Sequence, residues 1–440
     1  MSSISFVHLS DIHFVKSSNN PADIDRELRD AIITDLDVNA KIALENVSGI
    51  LLVSGDIAFS GAKTEYEKAK EYLLEISKLF SINPSDIYCV PGNHDVDLTI
   101  ADKSPAVSQA QNTIDEQILL DAADAAFEES ITDCSYNSIL FEPLREYNEF
   151  ANRFNCNISA EKIIWSKEFP LDCGLKLCLI GISSCFVPKS KDRLMYIGQS
   201  QIPRHMPDTA VMLMCHHPPE CWKFSSDIID RINKRADVQL YGHMHMQSVE
   251  LAENNAILFS GATHPQRAAD WFPRYNWITI SSETIDGDRV LNIDIYPRIL
   301  SENRDRFQPD ISATTNGILI HHTINIDRKR RQDLSDPCLC YESEKTPKDD
   351  LEETHAVESK ANQQSKVAVN ERELIYNFYE LSVFQQFELL EKFKLFSEQD
   401  KGRSIAATLN VAIQRAKDQG TLQSLYDCIM EIVSKKEKII

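Results

Sequence analysis

At 440 residues the chain is too long for one ordinary compact domain, and its 42% hydrophobic content can bury a large core and a smaller one. A formal net charge of -21 argues against non-specific binding to DNA, RNA or an anionic membrane as the main activity, because each phosphate contact needs a local cation, and leaves room only for a local basic groove. Eleven cysteines scattered through apolar segments, and a start with no charged-then-apolar leader, point to reduced thiols in a cytoplasmic protein; no apolar run is long enough to span a bilayer.

Residues 4–10 read as a first strand, apolar and β-branched, ending in Asp11 and His13. A helix over 27–47 leads to a second strand, Ile50-Leu51-Leu52-Val53, which ends in Gly55-Asp56. A further helix follows, with capping-box spacing at Thr64 and Glu67 and apolar residues Tyr66, Ala69, Tyr72, Leu73 and Ile76 at helical intervals. It feeds a third strand that stops at Val90-Pro91-Gly92-Asn93-His94-Asp95, so the sheet is expected to be parallel here. Residues 97–164 turn helical and read as a cap inserted over the site, with Cys134 and Cys156 as packing residues. Strand character returns at 175–182, before His216, before Gly242, and at 256–259, 276–280, 290–295 and 317–320. The absence of helices between the later runs predicts largely antiparallel pairing.

Five strand signals therefore stop abruptly in side chains that bind metals: Asp11 and His13; Asp56; Asn93 to Asp95; His216 and His217; His243 and His245. Two ions held close together need a bridging carboxylate and an incomplete ring of nitrogen and oxygen donors, so that water and a phosphate oxygen can enter. Asp56 suits the bridge, since Gly55 before it lets the backbone approach the ions. Asn93 offers a neutral oxygen, and His216, His243 and His245 offer nitrogens. Ligands of open α/β sheets sit beyond the strands' carboxyl ends, where all five clusters fall.

The order Asp11-x-His13, Gly55-Asp56, Gly92-Asn93-His94-Asp95, His216, Gly242-His243-x-His245 resembles the signature of the calcineurin-like metallophosphoesterases, over about residues 5–327. The resemblance implies a four-layer α/β/β/α sandwich and two divalent ions, with manganese first among the candidates and iron, zinc, nickel or cobalt behind it. One ion would be held by Asp11, His13, Asp56 and His245, the other by Asp56, Asn93, His216 and His243. His216 is preferred to His217 because His-His-Pro-Pro in this family ligates through its leading histidine. His94 becomes the catalytic histidine, oriented and charged by Asp95, while hydroxide generated at the ions attacks phosphorus in line. The run Gly55 to Gly61 followed by Tyr66, with His216-His217-Pro218-Pro219, looks like the branch that cleaves cyclic nucleotides and small phosphodiesters. The aromatic-Asp pair of the repair-nuclease branch is absent. Arg267, Arg274 and Tyr275 are candidates to line the site.

Residues 329–370 lose apolar periodicity and read as a flexible polar linker; Arg328-Lys329-Arg330-Arg331 opens it as a solvated edge, and Cys338 and Cys340 lie within it. Residues 371–440 read as a small all-α bundle, with Leu374, Phe378, Leu390, Leu409, Ala412, Leu425 and Ile429 on apolar faces. The bundle is similar to the helical effector-associated, death-like adaptor domains of bacterial defence proteins, which implies a protein partner or self-association. The expected function is that of a cytoplasmic phosphodiesterase acting on a nucleotide-sized substrate. The alternatives are a DNA or RNA nuclease effector of a defence system, a phosphomonoesterase, and an inactive scaffold.

Overall fold

The computed structural model describes residues 3–15, 26–40, 49–79, 82, 86–133, 139–188, 194–264, 271–314, 317–335, 369, 374, 377–378, 381–397, 400 and 405–437. Cys134, Arg267, Cys338 and Cys340 lie outside them. The chain divides into two compact units, Met1–Asp327 and Arg328–Ile440.

The first unit is built on two sheets. In chain order the elements that lead to the first cluster of donors are β1 (Ser3–Leu9), α1 (Arg26–Asp35), β2 (Gly49–Val53), α2 (Lys63–Leu79) and β3 (Ile87–Cys89). Strands β1, β2 and β3 run parallel, as the strand-helix alternation requires. Tyr66, Ala69, Tyr72, Leu73 and Ile76 form the buried face of α2. Its N-terminus is not capped by the expected Thr64–Glu67 pair. Glu65 instead accepts from the backbone N–H groups of Ser60 (2.9 Å) and Ala62 (3.0 Å) and from the Ser60 hydroxyl, which closes the turn leading out of the site.

Among the described residues four α-helices separate β3 from the next strand: α3 (Leu98–Lys103), α4 (Pro105–Asp115), α5 (Leu120–Thr132) and α6 (Arg145–Ala151). Asp97 caps α3, and Ser104 followed by Pro105 starts α4. The second sheet follows, with β4 (Ile164–Pro170), β5 (Lys176–Ile182), β6 (Thr209–Met214), α7 (Ser225–Arg235), β7 (Val238–Tyr241), β8 (Ser248–Ala252) and β9 (Asn255–Phe259), in spatial order β4-β5-β6-β7-β9-β8. Its inner strands β5, β6, β7 and β9 are parallel, against the expected antiparallel pairing, and its edge strands β4 and β8 pair antiparallel; α7 and the β8 excursion supply the crossovers. Antiparallel pairing is found where the chain returns to the first sheet, through β10 (Arg274–Ile285), β11 (Asp288–Leu300), β12 (Phe307–Pro309) and β13 (Ile320–Asn325), with β10 laid against β1. The last strand begins at Ile320, not at Gly317.

One apolar core joins the two sheets, and Phe6 of β1 meets Phe169 of β4 edge to face. Behind the first sheet, Arg298 of β11 is buried against Asp35 of α1 (Nε to Oδ2 2.9 Å), stacks 4.3 Å from the Trp277 ring centre, and shares Asp35 with the Tyr275 hydroxyl.

Helix α8 (Ile326–Ser335) carries regular structure into the expected linker, and Lys329, expected in a solvated edge, is 1% exposed. The second unit contains α9 (Val383–Lys392), α10 (Ile405–Asp418) and α11 (Leu422–Glu437). Leu374, Phe378, Leu390, Leu409, Ala412, Leu425 and Ile429 share its core. Ser382 and Gln385 form a capping box on α9, and Arg415 is tied to Asp400 (3.2 Å).

Removing the carboxylate that faces Arg298 leaves a buried cation without its partner. Asp35→Ala is therefore expected to lower unfolding stability by about 3–5 kcal/mol, read as a lower denaturation midpoint; a loss under about 1 kcal/mol would contradict this account of the pair.

Candidate metal centre

The donors collect where the two sheets present the carboxyl ends of β1, β2, β3, β6 and β7. The hydrogen-bond ladder continues past the strands: Ser54 N–H donates to Leu9 O (3.0 Å), Asp11 N–H to Gly55 O (3.0 Å) and His13 N–H to Asp56 O (3.0 Å). The second sheet does the same, with Cys215 N–H on Leu240 O (3.0 Å) and Gly242 N–H on His216 O (3.0 Å). Held this way, Asp11 (φ 52°), His13 (φ 53°), Asp56 (φ 51°), His243 (φ 66°) and His245 (φ 53°) all take the left-handed conformation. For residues other than glycine this is uncommon and strained, and it turns successive side chains inward.

Asp56 lies at the middle. Its Oδ1 accepts the His94 N–H (2.8 Å), while Oδ2 lies 3.8 Å from His13 Nε2 and 3.4 Å from His216 Nε2. Asp11 Oδ2 accepts from the Ser10 hydroxyl (2.6 Å) and from the His243 N–H (3.1 Å). Asp11 Oδ1 is buried and makes no hydrogen bond, although His245 Nε2 is 3.1 Å away. Asn93 Oδ1 sits between His216 Nε2 (3.2 Å) and His243 Nδ1 (3.1 Å). All seven donors expected from the sequence are thus brought together. Among the described residues three groups have ligand atoms mutually within 4.8 Å: Asp11, His13, Asp56 and His245; His216, His217 and His243; and His13, His245 and His264.

The electrostatics are those of a cation site. Burial opposes ionisation of Asp11 and Asp56, yet the surrounding histidines outweigh it and hold both carboxyls below the usual range. Burial likewise opposes a charge on His216, but Asp56 and Asp11 push it up to about 9. His13 and His243 are lowered to about 3, chiefly by burial, which keeps their rings neutral and their lone pairs available. Two buried carboxylates, neutral imidazoles, a carboxamide oxygen and an orphaned carboxylate oxygen suit borderline-hard divalent ions. His216 Nδ1 faces the Ser54 carbonyl (2.8 Å), so its proton lies there and Nε2 turns to the site. The His217 Nδ1 bonds the Ser184 hydroxyl (2.7 Å), while its buried Nε2 makes no hydrogen bond and its ring lies 4.4 Å from that of His243. His8, which precedes the first donors, is turned away, onto the Ser54 hydroxyl (2.9 Å).

His94 stands beside the donors, its ring 4.7 Å from that of His13 and stacked at 5.0 Å on Phe59. Its Nδ1 bonds the Phe59 carbonyl (2.7 Å), so the ring is oriented by backbone, not by Asp95 as expected. The Asp95 carboxylate is committed elsewhere, accepting from the N–H groups of Ile57 (3.1 Å), Ala58 (2.9 Å) and Gly92 (2.9 Å) and from the Tyr66 hydroxyl (2.9 Å). Burial and the nearby Asp56 push it up to about 6. It clamps the second donor loop to the third. Arg274 pairs with Asp310 (2.9 Å) and the buried Tyr275 bonds Asp35, so neither lines the site.

Sequence reasoning missed three neighbours: Ser10, His264 and Trp271. His264 comes five residues after β9, an apolar run ending in a histidine, the same signal that marked the other loops. Its distance from the strand end hid it.

A family model for calcineurin-like phosphoesterases matches residues 4–247, and one for the GTPase-associated adaptor domain matches residues 370–431. The chain is 31% identical over 122 residues to the uncharacterized metallophosphoesterase-like protein YydB of Bacillus subtilis (strain 168), a match that covers 26% of this chain and only 24% of that protein's length. A solved structure from Staphylococcus aureus, provisionally assigned as a 5′-nucleotidase, is similar over 64% of this chain and 51% of that one, at 11% identity and TM-score 0.33. A predicted phosphoesterase from Streptococcus pneumoniae TIGR4 is similar over 73% of this chain and 99% of that one, at 12% identity and TM-score 0.28.

Close approach at the site requires glycine at several positions, Gly92 and Gly55 among them. A Cβ at Gly92 would lie 2.1 Å from Asp56 Oδ1, and one at Gly55 (φ 97°) would lie 2.4 Å from His216 Nδ1. Gly92→Ala is expected to displace Asp56, so that added manganese should raise the Tm of the wild-type chain and not that of the variant; an equal rise in both would show that Asp56 does not bind there.

Proposed function

The chain belongs to the calcineurin-like phosphoesterase family, and from that premise we propose that it hydrolyses a nucleotide-sized phosphodiester at a dinuclear metal centre. One ion is assigned to Asp11, His13, Asp56 and His245, the other to Asp56, Asn93, His216 and His243. The observation that carries this reading is the convergence of two fully buried carboxylates with imidazoles and the Asn93 oxygen, with no Lys or Arg among the described contacts of Asp11 or Asp56 to balance them. Divalent ions bound there would polarise a phosphoryl oxygen and make water acidic enough to act as nucleophile near neutral pH.

The protein's own groups supply the rest. With Nδ1–H engaged by the Phe59 carbonyl, His94 has Nε2 left for the substrate. Protonated, Nε2 donates to the oxygen that leaves as its bond to phosphorus breaks, and the proton passes to that oxygen. Stacking on Phe59 fixes the ring plane, and the Asp95 clamp fixes the turn that carries it. The donor loops are held by backbone bonds before any substrate arrives, so little reorganisation accompanies the reaction.

Three features support a small diester over a long nucleic acid. The net charge of -21 offers a polyanion little long-range attraction. Helices α3 to α6, read as a cap, begin three residues beyond Asp95. The loop after β2 and the His216-His217-Pro218-Pro219 run resemble the cyclic-nucleotide branch of the family. The adaptor-domain match over residues 370–431 supports recruitment by a protein partner through the helical unit.

His94→Ala should retain its metal while turnover falls about 100- to 10,000-fold. The substrates to compare are bis(p-nitrophenyl) phosphate, p-nitrophenyl phosphate, cyclic mononucleotides, and single- and double-stranded DNA. Metal-dependent cleavage of the small diester or a cyclic nucleotide with DNA left intact is the expected result. Cutting of DNA would move the chain to the nuclease reading, and full turnover by His94→Ala would remove that residue from the chemistry.

A further inference from the structure

The loop after β9 delivers a residue that no family signature motif quoted above includes. Thr263 fastens this loop to the exit of β1, its N–H on Ser10 O (3.1 Å) and its hydroxyl on the same carbonyl (3.0 Å). The next residue, His264, is 7% exposed, and its Nε2 lies 3.3 Å from His245 Nδ1. Trp271 stacks on the His264 ring at 4.7 Å, with the planes 13° apart, and its indole N–H donates to the His245 carbonyl (2.8 Å). His245 is thus gripped at both ring and backbone by a pair of aromatic residues.

We propose that His264 is a positioning residue for the metal centre, accepting the Nδ1 proton of His245 so that His245 Nε2 presents its lone pair to the ion shared with Asp11 and His13. The inference rests on the metal-centre reading given above. His245 Nε2 faces Asp11 Oδ1 (3.1 Å) and His13 Nε2 (3.4 Å), so that nitrogen is the ligand atom. A neutral imidazole that ligates through Nε2 carries its proton on Nδ1, and that N–H needs an acceptor. His216 meets the same need with the Ser54 carbonyl, which is backbone and cannot be removed by substitution. At His245 the acceptor is a side chain, and the left-handed backbone there (φ 53°) offers no carbonyl in its place within the described hydrogen bonds. Groups placed this way commonly raise metal affinity about 10- to 100-fold by fixing tautomer and ring angle. Trp271 keeps the acceptor in register by stacking flat on it.

The test is manganese binding by chelator-stripped, full-length protein, measured by calorimetry and by metal content after gel filtration. His264→Leu is expected to weaken one class of ion about 10- to 100-fold and leave the other unchanged. His264→Gln, whose carboxamide oxygen reaches the position of Nε2, should recover affinity to within a few fold, and His264→Asn, which is too short, should not. The Gln and Asn pair decides the matter even if the Leu variant fails to fold. Cobalt-loaded protein gives a second readout, since the visible bands should move in Leu and Asn and return in Gln. Wild-type affinity in Leu and Asn, or an equal loss in Gln and Asn, would overturn the role of His264 and leave the centre standing. A wild-type chain that takes up no manganese or cobalt would overturn the centre and this inference together.

Discussion

Five of the seven candidate ligands adopt the left-handed backbone conformation, which is uncommon even for Asp and His, and everything else at the site depends on holding them there. Each such residue is strained by about 1–3 kcal/mol, so the conformation persists only where the surroundings over-determine it. Here the restraint is the sheet ladder itself. Bonds from Asp11 to Gly55, His13 to Asp56 and Gly242 to His216 carry the strand pairing into the loops, and the Asp95 carboxylate ties a third loop to the second. The two-sheet fold is therefore the device that places the chemistry.

Electrostatics adds a second demand. Asp11 and Asp56 are 0% and 1% exposed, and an ionised carboxylate that deep is tolerated only beside compensating charge. In the bare chain the compensation comes from His216 and His245, both raised above the ordinary histidine value in spite of burial. Those same nitrogens face the space enclosed by the carboxylates, so a divalent ion entering there would replace protons on histidine. Metal affinity of such a site falls as pH drops, because protons compete for the same lone pairs.

Much of this was legible in the sequence because the donors mark strand ends. An apolar run ending at once in Asp-x-His, Gly-Asp or Gly-Asn-His is ordinary taken singly, but five such endings in one chain point to one site, and the first three strands and their parallel order follow from that pattern; the choice of His216 over His217 rests on the family resemblance. What was not legible depended on distance. Asp95 is adjacent to His94 in sequence, yet its side chain turns to Ile57 and Ala58, while a carbonyl from Phe59 orients the histidine. His264 lies beyond the strand by a loop whose path only the fold defines. Parallel pairing in the centre of the second sheet escaped because α7 was not read as a crossover. Arg274 and Tyr275 were candidates for the site by proximity in sequence, and the fold commits them to Asp310 and Asp35 instead.

The central claim is that Asp56 joins two divalent ions in one centre. The most direct measurement is the metal content of chelator-stripped wild-type and Asp56→Asn protein after exposure to manganese, with hydrolysis of bis(p-nitrophenyl) phosphate followed on the same samples. The account predicts that wild type regains both ions and turnover together, while Asp56→Asn, folded and of nearly the same shape, regains neither. Equal manganese in the two proteins, or turnover by stripped wild type without added metal, would contradict it.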